Sequence, residues 1–273
     1  MKATNAARRP AEQAGLETVR AAFAALAGIC YPAMLLFRGN MRVRRRRAWA
    51  GYLWLVLPGI AITIAFSLLR HGSLFVVGPI ALPYPLFALS GVFLWQGFTD
   101  GLTGPLQALN RERYFLSVNA APHGAILLAG VLENLLALGV RMALLLVAML
   151  IFQVAVSPFW LLIPLAALSI FLLGLGCGML VAPVGQLYDD VGALIGIASG
   201  FGLFLVPAIY PIPATSLLAW NPLVAVVDAA HAWMTGAPAP QLPIVAVVLA
   251  VALLPLGWLA VTLARPHIAA RAA

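Results

Sequence analysis

Residues 41–59 read MRVRRRRAWAGYLWLVLPG: five of the six residues 42–47 are arginine, and no further charge follows until Arg70. An arginine block like this either grips a polyanion or marks one side of a membrane, because Lys and Arg are the side chains hardest to move across a bilayer. The rest of the chain decides between the two. Of its 273 residues, 63% are hydrophobic and 9% charged, against about 25% charged in an ordinary soluble domain. So few charges cannot cover a water-facing surface. The net charge of +8 is also local, since ten of the sixteen basic residues precede residue 48: Lys2, Arg8, Arg9, Arg20, Arg38, Arg42 and Arg44 to Arg47. The pattern speaks against nucleic-acid binding and for an integral membrane protein.

A membrane-crossing helix takes about 20 mostly apolar residues. Such runs fall at 48–69, 83–103, 125–154, 159–184, 191–210 and 242–264. The expected fold is all-α, with six transmembrane helices, an N-terminal interfacial helix and short re-entrant helices before the last span. It divides into a cytoplasmic segment 1–47, a transmembrane domain 48–264 and a cytoplasmic tail 265–273. With both termini inside, the cytoplasmic segments hold fourteen of the sixteen basic residues: the opening ten plus Arg111, Arg113, Arg265 and Arg271. Arg70 falls outside and Arg141 within the third span. The arginine block then serves as a cytoplasmic anchor, with Trp49, Tyr52 and Trp54 behind it as interfacial or channel aromatics. Segment 21–37, AAFAALAGICYPAMLLF, admits two readings. The stripe Leu16, Val19, Phe23, Leu26, Cys30 favours a helix lying in the interface, and the absence of charge also fits a seventh span. Cys30 and Cys177 have neither metal-site nor disulfide spacing and are expected as small buried apolar residues.

Catalytic chemistry finds no foothold. Lys2 is the only lysine, so the chain has no G-x-x-x-x-G-K-[ST] phosphate loop and is not expected to be an enzyme. The histidines at 71, 123, 231 and 267 lack metal-ligand spacing, and no serine sits in G-x-S-x-G. Two ionisable residues within the third span, Glu133 and Arg141, are costly enough there to suggest function. Eight residues apart on a helix, they differ by roughly 80° in direction and about 12 Å in height. They should not pair with each other, so each needs another partner. Either they face an interface or watery lumen, or Glu133 sits at headgroup depth. The connection LNRERYFLSVNAAPHG (109–124) is expected to begin as a small amphipathic helix exposing Arg111, Glu112 and Arg113. GQLYDD (185–190) brings Asp189 and Asp190 to the same side, where Asp190 can also complement a helix dipole. Segment 211–240 is apolar yet broken by Pro211, Pro213 and Pro222. Two short helices dipping into the outer leaflet, one on each side of Asn221–Pro222, would satisfy its backbone, as a gate or as packing.

The order of these features resembles the membrane subunits of ABC-2-type exporters of bacterial cell-surface polysaccharide, the capsule and O-antigen permeases. FRGNMRVRRRRAWAGYLW (37–54) is similar to a basic stretch leading into Gly-x-Leu-Trp, here Gly51, Leu53 and Trp54. PYPLFALSGVFLWQGF (83–98) is similar to a Pro-Tyr, Gly and Trp-x-x-Phe pattern, matched by Pro83, Tyr84, Gly91, Trp95 and Phe98. QLYDDVGAL resembles an aromatic-Arg-Asp motif with Asp189 in the arginine's place, and PAIYPI with WNPLVAVVDA resemble Tyr-Pro and Asn-Pro segments near an outer gate. The resemblance covers about residues 35–235. It implies a homodimer in the bacterial inner membrane, surrounded by membrane lipids and bound to two copies of an ABC ATPase subunit. It also implies that ATP and Mg sit on that subunit, that this chain binds no cofactor, and that a lipid-linked glycan leaves between the permeases. Aromatic rings pack on sugar C–H faces, which makes Tyr52, Trp54, Phe98 and Tyr210 candidates for the substrate path. Arg111, Glu112, Arg113 and Asp190 are candidates for coupling to the ATPase, and Asn221 and Pro222 for the outer gate. An ABC-2-type exporter of a drug or lipid, or a membrane assembly protein without transport, are the alternatives.

Overall fold

A computed structural model of the protein describes residues 28–44, 53–73, 78–111, 122–240 and 243–272, and among them the regular elements are all helical, without a strand. Helix α1 covers 28–44. After a 3₁₀ turn, Leu53–Leu55, helix α2 runs Leu57–His71. Pro58 sits in its first turn, where a missing N–H removes no helical bond. Helix α3 is Tyr84–Arg111 and α4 is His123–Ile151. Ser157 Oγ accepts the Phe159 N–H and starts the 3₁₀ turn Pro158–Leu162, which runs straight into α5, Ile163–Leu187. Tyr188, in extended backbone, separates α5 from α6, Asp189–Phe201. Two further 3₁₀ turns, Gly202–Leu205 and Leu217–Trp220, lead to α7, Pro222–Met234, and α8, Ile244–Ala272.

Among the described residues, three stretches have the length and apolar composition to cross a membrane: His123–Ile151, Pro158–Leu187 and Ile244–Ala264. The expected six are therefore met in part. Helix α2 has 15 residues and α6 has 13, about 22 and 20 Å of helix against a hydrocarbon core of about 30 Å. The predicted fifth span, 191–210, stops being α-helical at Phe201 and continues through the Gly202 turn. Helix α3 has the length, at 28 residues, but carries Gln96, Thr99, Asp100 and Thr103 along one stretch. On either side of Asn221–Pro222 the chain forms the expected short helices, the Leu217–Trp220 turn and α7.

Helix α3 is the hub, packed against α5, α4 and α2, while α8 lies on α5. Lipid tails are as apolar as leucine, so helices in a bilayer gain by close packing of small residues rather than by escaping water. The α3–α5 contact follows that rule. A methyl group added at Gly101, Gly174 or Gly178 would strike backbone of the facing helix: Phe171 O, Phe98 O and Leu102 O respectively. At Gly176 and Gly257 the added methyl would strike the Cβ atoms of Leu253 and Met179, holding α5 and α8 equally close. Around these contacts Phe93, Leu94, Ile170 and Phe171 are fully buried.

Two elements are covered on one side or hardly at all. Helix α6 has no buried residue, and Leu194, Ile197 and Phe201 are 64%, 59% and 73% exposed. Its attachment runs through Trp95, whose indole N–H donates to Ser199 O at 2.9 Å. Helix α1 turns Ala33 and Met41 inward, with Ile29 facing Gly124 at the start of α4. Cys30 points away and is exposed, and Cys177 is half-buried, so neither is the enclosed residue expected. The inward stripe of α1 runs through Ile29, Ala33, Asn40 and Met41, one position out of phase with the stripe that included Cys30.

Candidate functional site

Polar side chains that cannot leave an apolar helix pair must find each other, and between α3 and α4 they do so at two levels. Near the end of α3, Arg111 meets Glu133 of α4 as a fork: Nη1 donates to Oε2 at 3.1 Å and Nη2 to Oε1 at 2.9 Å. A two-pronged guanidinium–carboxylate pair adds directional fit to charge. Asn40 of α1 completes the knot by donating Nδ2–H to Glu133 Oε1 at 2.8 Å. Three elements thus share one carboxylate whose side chain is 9% exposed. Farther along, Arg141 Nη1 donates to Asp100 Oδ2 at 2.5 Å, and its Nε donates to Leu55 O at 3.2 Å. The second knot again ties α3 to α4 and takes in a third element, the turn before α2. Between the knots Asn134 donates Nδ2–H to Asp100 O at 2.9 Å, lying over Gly104 where a larger residue would exclude it.

The expectation that Glu133 and Arg141 take separate partners is met, although the partners were not foreseen. Asp100 is a carboxylate inside the predicted second span, so the reasoning that singled out Glu133 and Arg141 applies to it equally. Asn40 and the Leu55 carbonyl carry no such mark in the sequence. Arg111 is about half exposed, as expected, but residues 109–111 continue α3, and the guanidinium pairs with Glu133. Glu112, Arg113 and Tyr52 lie outside the described residues. Asp189 and Asp190 both stand in the first turn of α6, where carboxylates complement the helix dipole.

The remaining aromatic candidates do not converge. Trp54 lies in the turn before α2 and is 63% exposed. Phe98 is half-buried, its ring 5.3 Å from that of Trp95. Tyr210 donates its hydroxyl to Phe204 O. Among the described residues no ring contact joins two of these three. Asn221 caps α7 by accepting the Leu223 N–H at 3.0 Å, and Pro222 follows at the first helical position. Both border a cavity of about 330 Å³ together with Trp220, Ala225 and Val245.

A second cluster, absent from the sequence reading, joins the start of α3 to α7. Arg70 lies 4.7 Å over the Tyr84 ring, Tyr84 stacks on Phe87, and Phe87 stacks on His231 at 4.2 Å. Ser90 spends its hydroxyl proton on Phe87 O, so its oxygen is left to accept from His231 Nε2–H at 3.0 Å. Among the described residues Nδ1 of this buried imidazole has no hydrogen-bond partner. The cluster fastens α7 to α3 and gives Arg70, near the end of α2, an aromatic face to lie on.

No family model matches the chain. Two curated proteins do, both named O-antigen export system permease protein RfbA and both from Klebsiella pneumoniae: each is 20% identical to it over 195 residues, covering 69% of this chain and 74% of the relative. The chain is thus distantly similar to two proteins named for O-antigen export, and among its described residues the regular elements are helical, three of them long and apolar enough to cross a membrane.

Proposed function

We propose that the chain is the permease subunit of an ATP-driven exporter that moves a lipid-linked or cell-surface polysaccharide across the bacterial inner membrane. The observation that carries this reading is the similarity over 195 residues to permeases named for O-antigen export. The composition supports the division of labour, since a chain whose single lysine is Lys2 has no phosphate loop and draws its energy from a separate ATPase subunit. In this reading two copies of the chain form the conduit with two ATPase subunits, and both termini are cytoplasmic. The uncovered apolar face of α6 supports a second copy or lipid beside it. The segment from Arg111 to Arg113, together with Asp190, meets the ATPase. Tyr52, Trp54, Phe98 and Tyr210 are the candidates for the glycan path, and Asn221 and Pro222 for the outer gate.

The test is removal of the gene from its own host, followed by measurement of surface polysaccharide and of lipid-linked glycan retained inside. Loss of the first with accumulation of the second, both reversed by the restored gene, is the expected result. Unchanged surface glycan with altered tolerance to a drug, or altered lipid distribution, overturns the reading in favour of a different cargo. Affinity purification of the tagged chain should bring an ABC ATPase with it.

A further inference from the structure

The knot at Glu133 does more than balance a charge. An ion pair between α3 and α4 needs only Arg111 and Glu133, yet Asn40 of α1 is bound to the same carboxylate, at Oε1, which also takes Arg111 Nη2. Ile29 of α1 faces Gly124, nine residues before Glu133 on α4. Helix α1 therefore follows α4 along the seam, fastened at its apolar start and its polar end. The Leu55 carbonyl, held by Arg141, fixes the chain again just before α2. The arginine block is thus bracketed by two anchors, residues 40 and 55, both attached to side chains of α4.

We propose that Glu133 is a positioning residue that clamps α1 to the end of α3, so that a displacement of the α3 end reaches α1 and the arginine block directly. This rests on the export reading above, in which the residues following Arg111 meet the ATPase. The clamp is built for transmission, because its three members come from elements that could otherwise slide past each other. A carboxylate holds a guanidinium fork in one geometry, and an amide bound to the same oxygen must move with it.

The full-length chain in lipid nanodiscs tests this by amide hydrogen exchange of 28–44, thermal midpoint and, in cells, surface glycan at matched protein level. A hydrogen bond to a charged group is worth about tenfold or more in a local opening equilibrium. Asn40→Ala removes the α1 tie and leaves the Arg111–Glu133 pair in place, so exchange in 28–44 should rise by about that factor while the thermal midpoint holds and export falls severalfold. Glu133→Gln should loosen both 28–44 and the last turn of α3. The pair Arg111→Glu with Glu133→Arg should restore exchange and export relative to either single change, because the Asn40 amide can accept from a guanidinium as readily as it donates to a carboxylate. Unchanged exchange in 28–44 in both Asn40→Ala and Glu133→Gln overturns the clamp. A loosened α1 with full export overturns its role in transport, as does a loss of export that tracks only a lowered thermal midpoint. If the host shows no glycan defect without the chain, the export reading fails by itself, and the exchange measurements still decide the clamp.

Discussion

Arg141 is 5% exposed and holds Asp100 and the Leu55 carbonyl at once. Removing one member of such a pair strands the other, which costs more than the pair contributes, whereas removing both can be nearly neutral. Arg141→Leu should therefore lower stability by about 2–4 kcal/mol, discounted for the partial exposure of Asp100. Adding Asp100→Leu should recover most of that loss, as read by thermal unfolding in detergent. Equal loss in the single and double variants would show that the seam is held by packing alone. Trp54 is the complementary case, an exposed ring whose removal should leave the fold untouched. If sugar rings pack on it, Trp54→Leu should reduce surface glycan about two- to tenfold, the equivalent of one aromatic contact. Full export at matched protein level would make it an anchor in the membrane interface. Phe98 cannot be tested as cleanly, because its ring packs on Trp95 and Trp95 in turn holds α6.

At the scale of helices, the α3–α5 contact depends on backbone approaching backbone. Gly174→Leu or Gly178→Leu must push the helices apart, and overpacking of a tight contact costs about 1–3 kcal/mol or more. Both should reduce the yield of folded protein and its thermal midpoint. Gly196→Leu on α6 meets open space in this protomer and should leave both unchanged. A loss of self-association in that variant, measured by crosslinking in membranes, would mark the α6 face as an interface between copies. The long apolar helices α4, α5 and α8 were legible in sequence because length and hydropathy suffice to define them. The short helices around Asn221–Pro222 were legible because proline and an asparagine cap punctuate the chain locally. The boundaries of α2 and α6 were not. An apolar run records what lipid or protein will accept, and residues 202–210 are apolar while turning. Asp100, a charge inside an apolar run, was as legible as Glu133 and Arg141; its pairing was not, because the partner lies 41 residues away and pairing across helices leaves no periodic trace.

For the whole molecule, the distribution of basic residues predicts an orientation that can be read on intact cells. With Cys30 and Cys177 replaced, Gly72→Cys and Ala237→Cys should react with a membrane-impermeant maleimide, and Arg46→Cys should react only after permeabilisation. Ala237 is the better probe than its neighbour Gly236, whose φ of +77° disfavours any side chain. Exposed Cys30 gives an independent reading with only Cys177 replaced, and should behave as Arg46→Cys does. Labelling of Arg46→Cys from outside would reverse the topology. The Asp100–Arg141 bond also bears on how the chain is made. Its two ends are 41 residues apart, which at about 5–20 residues per second is about 2–8 seconds of synthesis. Throughout that interval α3 carries a carboxylate without its guanidinium, on a helix less apolar than α4, α5 or α8. Such a segment has little reason to enter lipid alone. Helix α3 should wait beside the insertion machinery until α4 emerges from the ribosome, and the two should pass into the bilayer together as a hairpin with the charge already neutralised.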